Sequence, residues 1–294
     1  MAIVEEKISR PDWLKKRVGI SENMALTYEL LQDLKLNTVC DSALCPNLAE
    51  CYSKKTATFM IMGDVCTRNC RFCAVSSGKP NSLDPNEPGR VAQATARLGL
   101  KHVVVTSVTR DDLSDGGASH FVEVIKNIRE YCPQSIIEVL TPDFKGSLDR
   151  VAQVVDAKPH IFNHNIETVP RLYSLVRPQA NYLRSLKVLE QVKRTDQSVF
   201  TKCGIMLGLG ETENEVIAVM KDLRNIGCDI FTIGQYLQPS AKHLPVVEYI
   251  HPDVFAKYKN VATEHGFVHV ASAPFVRSSF NAIEFSEKVL AVSP

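Results

Sequence analysis

Two groups of three cysteines carry the clearest chemistry in this sequence. Six of the nine cysteines lie in "CDSALCPNLAEC", from Cys40 to Cys51, and in "CTRNCRFC", from Cys66 to Cys73. Zinc sites normally complete a tetrahedron with four cysteine or histidine ligands. Three thiolates can instead hold three irons of a [4Fe–4S] cluster and leave the fourth iron open. The triplets therefore predict iron–sulfur chemistry in this part of the chain.

The second triplet has the spacing Cys-x3-Cys-x2-Cys, which suits a cluster whose fourth iron takes an outside ligand. Such an iron can chelate the amino and carboxylate groups of S-adenosylmethionine, and an electron from the cluster then cleaves the sulfonium to a 5′-deoxyadenosyl radical. A zinc site is the alternative, completed by Cys203, Cys228 or one of the eight histidines. The cluster is favoured because this loop follows an apolar run typical of a first barrel strand.

Six short apolar runs, each separated from the next by a helix-like stretch, must position these cysteines. The runs begin at Ala57, His102, Ile136, His160, Phe200 and Ile230. Runs of this kind are typical of parallel strands that are covered on both faces. Six units rather than eight predict an α/β fold, a partial parallel (β/α)6 barrel over residues 57–240. Residues 1–56 and 241–294 are predicted to form N-terminal and C-terminal extensions. Chemistry in such barrels lies at the C-terminal ends of the strands, where the second triplet falls.

Composition excludes several other classes of function. The chain has 294 residues, a formal net charge of +1, 45% hydrophobic and 23% charged residues. This balance gives no electrostatic footprint for nucleic acid, and no apolar run is long enough to span a membrane. The N-terminal residues lack the apolar core of a secretory signal. Unpaired cysteines in such a chain predict a cytoplasmic protein, with an organellar matrix as the alternative.

The second triplet and its surroundings resemble the radical S-adenosylmethionine enzymes. In that family an aromatic residue commonly precedes the third cysteine and packs near the adenine, and Phe72 stands there. The segment "GIMLGLGE", residues 204–211, is similar to the glycine-rich segment that contacts the adenine, which makes Gly208 and Gly210 candidates. Ordinary turn chemistry is the alternative for both glycines.

The first triplet, Cys-x4-Cys-x5-Cys, makes the resemblance narrower. Together with "CTRNCRFC" it looks like the lipoyl synthase family, and the likeness covers nearly the whole chain. Matching segments include "ATFMIMGD", "VVVTSVTRDDLSDGGASHF", "FNHNIETVPRLY", "MLGLGET", "TIGQYLQPSAKHLPV" and "FVRSSF". Two departures are Ala74, where the family commonly has Asp, and Cys203, where it usually has Ser. They leave open whether the chain is a specialised paralog.

The resemblance implies a radical sulfurtransferase with two [4Fe–4S] clusters and S-adenosylmethionine as cofactors. Such enzymes insert two sulfur atoms, at C6 and C8, into an octanoyl chain attached to a lysine of a carrier protein. One cluster cleaves S-adenosylmethionine and the auxiliary cluster donates sulfur. The implied ligands are Cys66, Cys70 and Cys73 for the radical cluster, and Cys40, Cys45, Cys51 and Ser279 for the auxiliary cluster. Ser278 is the alternative serine in the "RSS" motif.

Glu167, Arg171 and Lys202 are further candidates for binding S-adenosylmethionine. Asn163, Asn165 and Glu167 alternate in "NHNIET" and would share one face of an extended chain, where Glu167 could bind a ribose hydroxyl. Arg171 and Lys202 are candidates for the carboxylate of S-adenosylmethionine or for the charge of a cluster. Each of these could equally belong to a structural ion pair.

The implied partners are octanoylated carrier domains, namely the E2 subunits of 2-oxoacid dehydrogenases and the H protein of glycine cleavage. A ferredoxin or flavodoxin would donate electrons, and neither nucleic acid nor a membrane span is expected. Two competing interpretations are another sulfur-inserting or methylthiolating radical enzyme, and a non-catalytic metal-binding scaffold. The N-terminal triplet together with "RSSF" argues against the first, and the metal content would test the second.

Overall fold

One large sheet organises the fold in the computed structural model, which describes residues 9–16, 19, 21–280 and 282. The strands of the described residues, in chain order, are β1 (Asn37–Thr38), β2 (Thr58–Ile61), β3 (Val65–Cys66), β4 (Ser76–Ser77), β5 (His102–Ser107), β6 (Ile136–Leu140), β7 (Ile161–Asn163), β8 (Phe200–Leu207), β9 (Ile230–Gln235) and β10 (His269–Ser272). Eight of them form a sheet in the order β1-β2-β5-β6-β7-β8-β9-β10, and β3 pairs separately with β4.

The large sheet is parallel from β2 to β10, and only β1 runs antiparallel, against β2. This confirms the α/β prediction, and all six apolar runs become strands of this sheet. A seventh parallel strand, β10, lies within the predicted C-terminal extension. No pairing between the two edges closes the sheet in the described residues. The sequence predicts no strand within residues 1–56, because the two residues of β1 are too few to show the alternating pattern of a strand.

Helices cover the sheet between successive strands. They are α1 (Glu22–Asp33), α2 (Val39–Ser42), α3 (Leu48–Ser53), α4 (Glu87–Leu98), α5 (Ala118–Tyr131), α6 (Leu148–Asp156), α7 (Tyr173–Val176), α8 (Tyr182–Thr195), α9 (Glu213–Asn225) and α10 (Pro252–Glu264). Local sequence explains their ends: Thr212 and Glu215 form a capping box at the start of α9, and Gly99 ends α4 with a φ of 64°. No helix in the described part of the chain is long and apolar enough to cross a membrane.

The core lies on both faces of the parallel strands. Val105 of β5 and Phe121 of α5 are fully buried in one half, and Phe231 of β9 and Met220 of α9 are fully buried in the other. Burial on both faces is why these strands appear in the sequence as continuous apolar runs rather than as alternating patterns.

A C-terminal strap, residues 274–280, spans the open side of the sheet. Gln235 N, at the end of β9, donates to Pro274 O at 3.2 Å. Near the opposite edge, Thr58 Oγ1 of β2 donates to Ser279 Oγ at 2.8 Å. The strap therefore connects β9 with β2, the first of the parallel strands, across a sheet whose edges do not pair with each other in the described residues.

Two glycines allow the strap to lie against the sheet. A Cβ at Gly234 would stand 2.1 Å from Val276 O, and a Cβ at Gly204 would stand 3.0 Å from Ser278 Oγ. The first distance is far below any real contact, so a side chain at position 234 is incompatible with the strap where it lies. Glycine in a strand interior often marks such a close approach of another backbone.

Gly234→Ala should displace the strap and destabilise the fold by about 1–3 kcal/mol, the usual cost of overpacking. Chemical denaturation of the purified chain measures the effect. Gly89→Ala is the matched control, because a Cβ at that position in α4 meets only Asn127 Oδ1, at 3.8 Å. That control should be neutral or should stabilise by up to about 1 kcal/mol. Equal unfolding midpoints for the two variants would contradict the close approach.

Candidate active site

A cavity of about 900 Å³ lies between the strap and the sheet. Its lining brings together all seven predicted cluster ligands, which are Cys40, Cys45, Cys51, Cys66, Cys70, Cys73 and Ser279. The N-terminal triplet, the loop after β2 and the C-terminal strap thus meet in one enclosure.

The loop of the second triplet is fixed to the carboxyl ends of β5 and β6. The thiol of Cys66 accepts hydrogen bonds from the backbone N–H groups of Arg68 at 3.4 Å and Thr109 at 3.3 Å. The Arg68 side chain is 5% exposed and turns away from the cavity. It binds Asp111 at 2.7 and 3.0 Å and Asp143 at 2.6 Å. Ion pairs of this kind hold the backbone in place, because their bidentate geometry is specific and because breaking them would leave a buried charge without a partner.

The other side of this loop is tied to later elements. Arg71 N donates to Val176 O at 3.0 Å, and Leu244 N donates to Arg71 O at 3.1 Å. His243 Nε2 lies 2.9 Å from Cys73 O. These contacts hold the triplet from both directions along the chain.

The first triplet rests on short helices. Cys40 lies in α2 and Cys51 in α3, and Cys45 N donates to Cys40 O at 3.0 Å between them. Lys16 supports this segment from outside, with its Nζ 2.6 Å from both Asn47 Oδ1 and Glu50 Oε2.

The nine cysteines are all free thiols. Burial raises the pKa of Cys40 to about 12, that of Cys51 to about 11 and that of Cys73 to about 12. Such thiols are protonated at neutral pH, and a bound metal must displace the proton. Buried, reduced thiols with a nearby hydroxyl form a donor set that fits iron–sulfur clusters.

The zinc alternative finds no support in the geometry. No three histidine, cysteine, aspartate or glutamate side chains in the described residues lie close enough to share one metal ion. Each thiolate of a cluster binds a different iron, so cluster ligands stand further apart than the ligands of a single zinc ion.

The two serines of the "RSS" motif have different neighbours. Ser279 Oγ accepts a hydrogen bond from Thr58 Oγ1, and Thr58 is also a neighbour of Cys40, where it opposes the rise in the pKa of that thiol that burial causes. Ser278 Oγ instead lies over Gly204 of β8. Ser279 is thus connected to a cysteine of the first triplet through Thr58, and its role as the ligand stays a prediction.

Phe72 and Glu167 line the same cavity, beside the second triplet. Glu167 has a φ of 65°, an uncommon conformation for a residue with a side chain. Its backbone is held there, with its N–H donating to Gly204 O at 3.0 Å and its O accepting from Met206 N at 2.9 Å. Burial raises the pKa of the Glu167 carboxyl, and the guanidinium of Arg177 opposes that shift.

Several buried polar atoms of the cavity lining have no hydrogen-bond partner among the described residues. They are Ser107 Oγ, Thr141 Oγ1, Asn165 Oδ1 and Arg177 Nε. Unsatisfied buried groups are costly and rare in folded proteins. Their concentration here fits a cavity made for a polar ligand.

Four predicted contacts lie outside the cavity lining. Arg171 is exposed and pairs with Glu215, 2.7 Å away, while also donating to Gly210 O at 2.8 Å. Gly208 and Gly210 have φ values of 100° and 99°, which a turn after β8 requires. Lys202 is buried and donates to Glu138 Oε1 at 2.8 Å. These residues support the wall of the site through ion pairs and turn geometry, and their direct contact with S-adenosylmethionine stays a prediction.

Of the three alternating residues Asn163, Asn165 and Glu167, the last two line the cavity. Asn163 is the last residue of β7 and is paired in register with Leu140, which also lines the cavity. Its Nδ2 donates to Glu138 Oε1 at 3.1 Å. Asn163 therefore belongs to the hydrogen-bond network of Glu138, and a contact of these residues with S-adenosylmethionine stays a prediction.

Two arginines that sequence reasoning did not single out face the cavity. Arg177 Nη1 donates to Asn165 O at 2.7 Å, and its guanidinium lies 5.5 Å from the centre of the Tyr173 ring. Burial raises the pKa of Cys70, and Arg177 opposes this shift, so the two are neighbours. Burial lowers the pKa of Arg277, against the opposing effect of Cys45 and Glu167. A single arginine belongs to no spacing pattern that the sequence shows, so its position in the cavity is apparent only from the fold.

Comparisons with known proteins agree on family and fold. The chain matches the model of the Radical SAM superfamily over residues 60–223. It is 58% identical over 275 residues to a lipoyl synthase of Caldanaerobacter subterraneus subsp. tengcongensis, a match covering 94% of this chain and 96% of that protein. A lipoyl synthase of Caldicellulosiruptor saccharolyticus is 56% identical, with 94% and 96% covered.

Solved structures share the fold at low identity. Streptococcus suis SuiB bound to S-adenosylmethionine has a TM-score of 0.57 at 12% identity, covering 83% of this chain and 55% of that one. Methylornithine synthase (PylB) has a TM-score of 0.53 at 13% identity, with 72% and 70% covered. These matches agree with the mostly parallel α/β architecture.

Lys202→Met tests the role of Lys202, because it leaves the Glu138 carboxylate buried without its main partner. The variant should lose about 3–5 kcal/mol of stability at neutral pH, measured by chemical denaturation. Adding Glu138→Gln should recover most of the loss. A variant of normal stability with weakened binding of S-adenosylmethionine would instead make Lys202 a ligand contact.

The stability of the Lys202→Met variant should also respond to pH differently from that of the parent. Burial alone raises the pKa of Glu138, but Lys202 and His102 hold it at about 2, below the ordinary 4.5. In the parent, the ionised Glu138 therefore contributes to the free energy of unfolding above pH 4.5, and this contribution is lost as the pH falls toward 2. Without Lys202, burial raises the pKa of Glu138, so protonation on acidification removes an unpaired buried charge and stabilises the variant. The difference in stability between parent and variant should narrow on acidification.

Proposed function

The chain belongs to the lipoyl synthase family of radical S-adenosylmethionine enzymes, and from that premise we propose how its residues divide the reaction. The enzyme inserts two sulfur atoms, at C6 and C8, into an octanoyl chain on a lysine of a lipoyl carrier protein. The observation that carries the residue assignment is that both triplets and Ser279 line one cavity.

In this proposal Cys66, Cys70 and Cys73 hold the radical cluster. The auxiliary cluster is held by Cys40, Cys45, Cys51 and Ser279. When bound, the first cluster supplies the electron that cleaves S-adenosylmethionine, and the second supplies the sulfur. The chain's own residues bind, orient and enclose the reactants.

S-adenosylmethionine would lie between the second triplet and the inner face of β8. Phe72 would pack against the adenine, and the Glu167 carboxylate would accept a hydrogen bond from the ribose. Arg177 would donate to the carboxylate of S-adenosylmethionine, since its buried Nε has no partner in the described residues. A guanidinium suits a planar carboxylate because its donors form a rigid fork.

The acyl chain needs an apolar path between the two triplets. The cavity offers apolar side chains, including Met60, Val108, Ile205, Met206 and Val276. An unbranched chain held against such walls has few positions for its distal carbons, so C6 and C8 can be presented in sequence. The strap covers the same space and limits the entry of water, which a primary carbon radical must not meet.

The partners follow from the reaction. We propose that E2 subunits of 2-oxoacid dehydrogenases and the H protein of glycine cleavage serve as octanoylated carriers. A ferredoxin or flavodoxin would deliver electrons to the radical cluster. We also propose a cytoplasmic location, because nine free thiols suit a reducing compartment.

Ser279→Cys tests the proposed auxiliary ligand. An alkoxide would be a hard ligand on a site of soft thiolates, so Ser279 would hold its iron less tightly than a fourth cysteine would. The variant should keep its iron and sulfide content while product formation falls about 10–100-fold, the range for altered metal surroundings. Full activity of Ser279→Cys would contradict the proposal. Ser278→Ala is the control and should retain its iron, since its hydroxyl lies over Gly204.

The product mass tests the function itself. The reconstituted protein, given S-adenosylmethionine, a strong reductant and an octanoyl-lysine peptide without oxygen, should yield a dithiol peptide heavier by two sulfurs, which becomes lighter by two hydrogens when it is afterwards oxidised to the disulfide. Formation of 5′-deoxyadenosine with an unchanged peptide would point to another radical enzyme. The absence of both products with intact clusters would favour the metal-binding scaffold.

A further inference from the structure

The exposed part of the cavity lining is basic. Most lining residues are buried or half-buried, and the exposed ones in the described chain are Arg10, Leu44, Lys54, Lys55, Thr56, Gly99 and Lys101. Four of these are cations, here named the basic rim (Arg10, Lys54, Lys55 and Lys101), and none is acidic. The cavity therefore meets solvent through a positively charged border.

The two carboxylates of the lining, Glu50 and Glu167, do not neutralise it. Glu50 lines the cavity and pairs with Lys54 at 2.8 Å, but it also pairs with Lys16 at 2.6 Å. One carboxylate thus faces two cations. The other acidic residue of the described lining, Glu167, lies beside the second triplet, where Arg177 and Arg277 are its charged neighbours.

The basic rim adjoins the first triplet rather than the second. Lys54 and Lys55 follow directly after α3, which contains Cys51. Leu44, next to Cys45, is 66% exposed and offers an apolar contact at the same border. A substrate that entered here would pass the proposed auxiliary ligands first and would extend its far end toward Cys66 and Cys70.

We infer that the basic rim docks an acidic surface of the carrier protein around its octanoylated lysine. This inference rests on the proposed function, in which the acyl chain enters the cavity from a folded carrier. The reacting carbons C6 and C8 lie at the far end of the chain, so the carrier itself stays at the border. Complementary charge at the edge of an interface mainly sets orientation and the rate of encounter.

The same rim discriminates between acylated and unmodified carriers. Octanoylation converts the lysine ammonium into a neutral amide and removes its positive charge. A free lysine brought to four cations would be repelled, whereas the amide would not. The net charge of the whole chain is only +1, so the attraction is local to this border.

Charge reversal at the rim tests the inference with the reconstituted holoenzyme. The test variant is Lys55→Glu with Lys101→Glu, and the control is Lys221→Glu with Lys259→Glu. The control changes the net charge equally at exposed lysines of α9 and α10, outside the cavity lining. Each enzyme is given an octanoylated E2 carrier domain and, separately, a short uncharged octanoyl-lysine peptide.

The rim variant should raise KM for the carrier domain about tenfold at low salt, and by much less for the uncharged peptide. This difference should shrink as added salt screens the charges. A carrier whose acidic residues near the lysine are changed to amides should lose most of its sensitivity to the rim variant.

Three results would overturn the docking surface: an unchanged KM, an equal rise for carrier and peptide, or an equal rise in the control variant. Failure of the proposed function looks different, because the parent enzyme would then form no sulfur-containing product from either substrate. The two failures are therefore distinguishable in one set of assays.

Discussion

The hydrogen bond between Thr58 and Ser279 is the contact on which the rest of the site depends. It links the first parallel strand to the C-terminal strap and completes an enclosure that the sheet leaves open. The strap can reach Thr58 only by lying against β8 and β9, and Gly204 and Gly234 leave the room for it. Residues more than 220 positions apart in the chain are thereby brought to one cavity wall.

The buried charges of the molecule have two separate tasks. Arg68 with Asp111 and Asp143, and Lys202 with Glu138, are paired inside the protein and hold strands and loops in place. Arg177 and Arg277 instead line the cavity. Arg277 donates to Val276 O of the strap, whereas the Nε of Arg177 has no partner in the described residues. A charge that is satisfied by the fold positions the site, whereas a donor without a partner is available to a ligand. This distinction could not be drawn from the sequence, where Lys202 and Arg177 are equally plausible.

The parts of the fold that leave a local pattern in the sequence could be predicted. Parallel strands buried on both faces leave continuous apolar runs, and the spacing of Cys66, Cys70 and Cys73 is local as well. The two-residue strand β1 and the course of the strap were not predictable, because neither has a period. The role of Arg177 depends on tertiary contacts to Asn165 and Tyr173.

Both triplets are anchored from more than one part of the chain, but by different elements. The loop from Cys66 to Cys73 is tied to the ends of β5 and β6 and to residues 176 and 244. The first triplet lies on helices of four and six residues, and Tyr52 of α3 is buried with its carbonyl accepting from Thr27 Oγ1 at 3.0 Å. Asn47 Nδ2 donates to Phe275 O at 2.8 Å and so ties this segment to the strap that carries Ser279. The fold itself thus holds the first triplet and the proposed fourth ligand together, although more than 200 residues separate them in the chain.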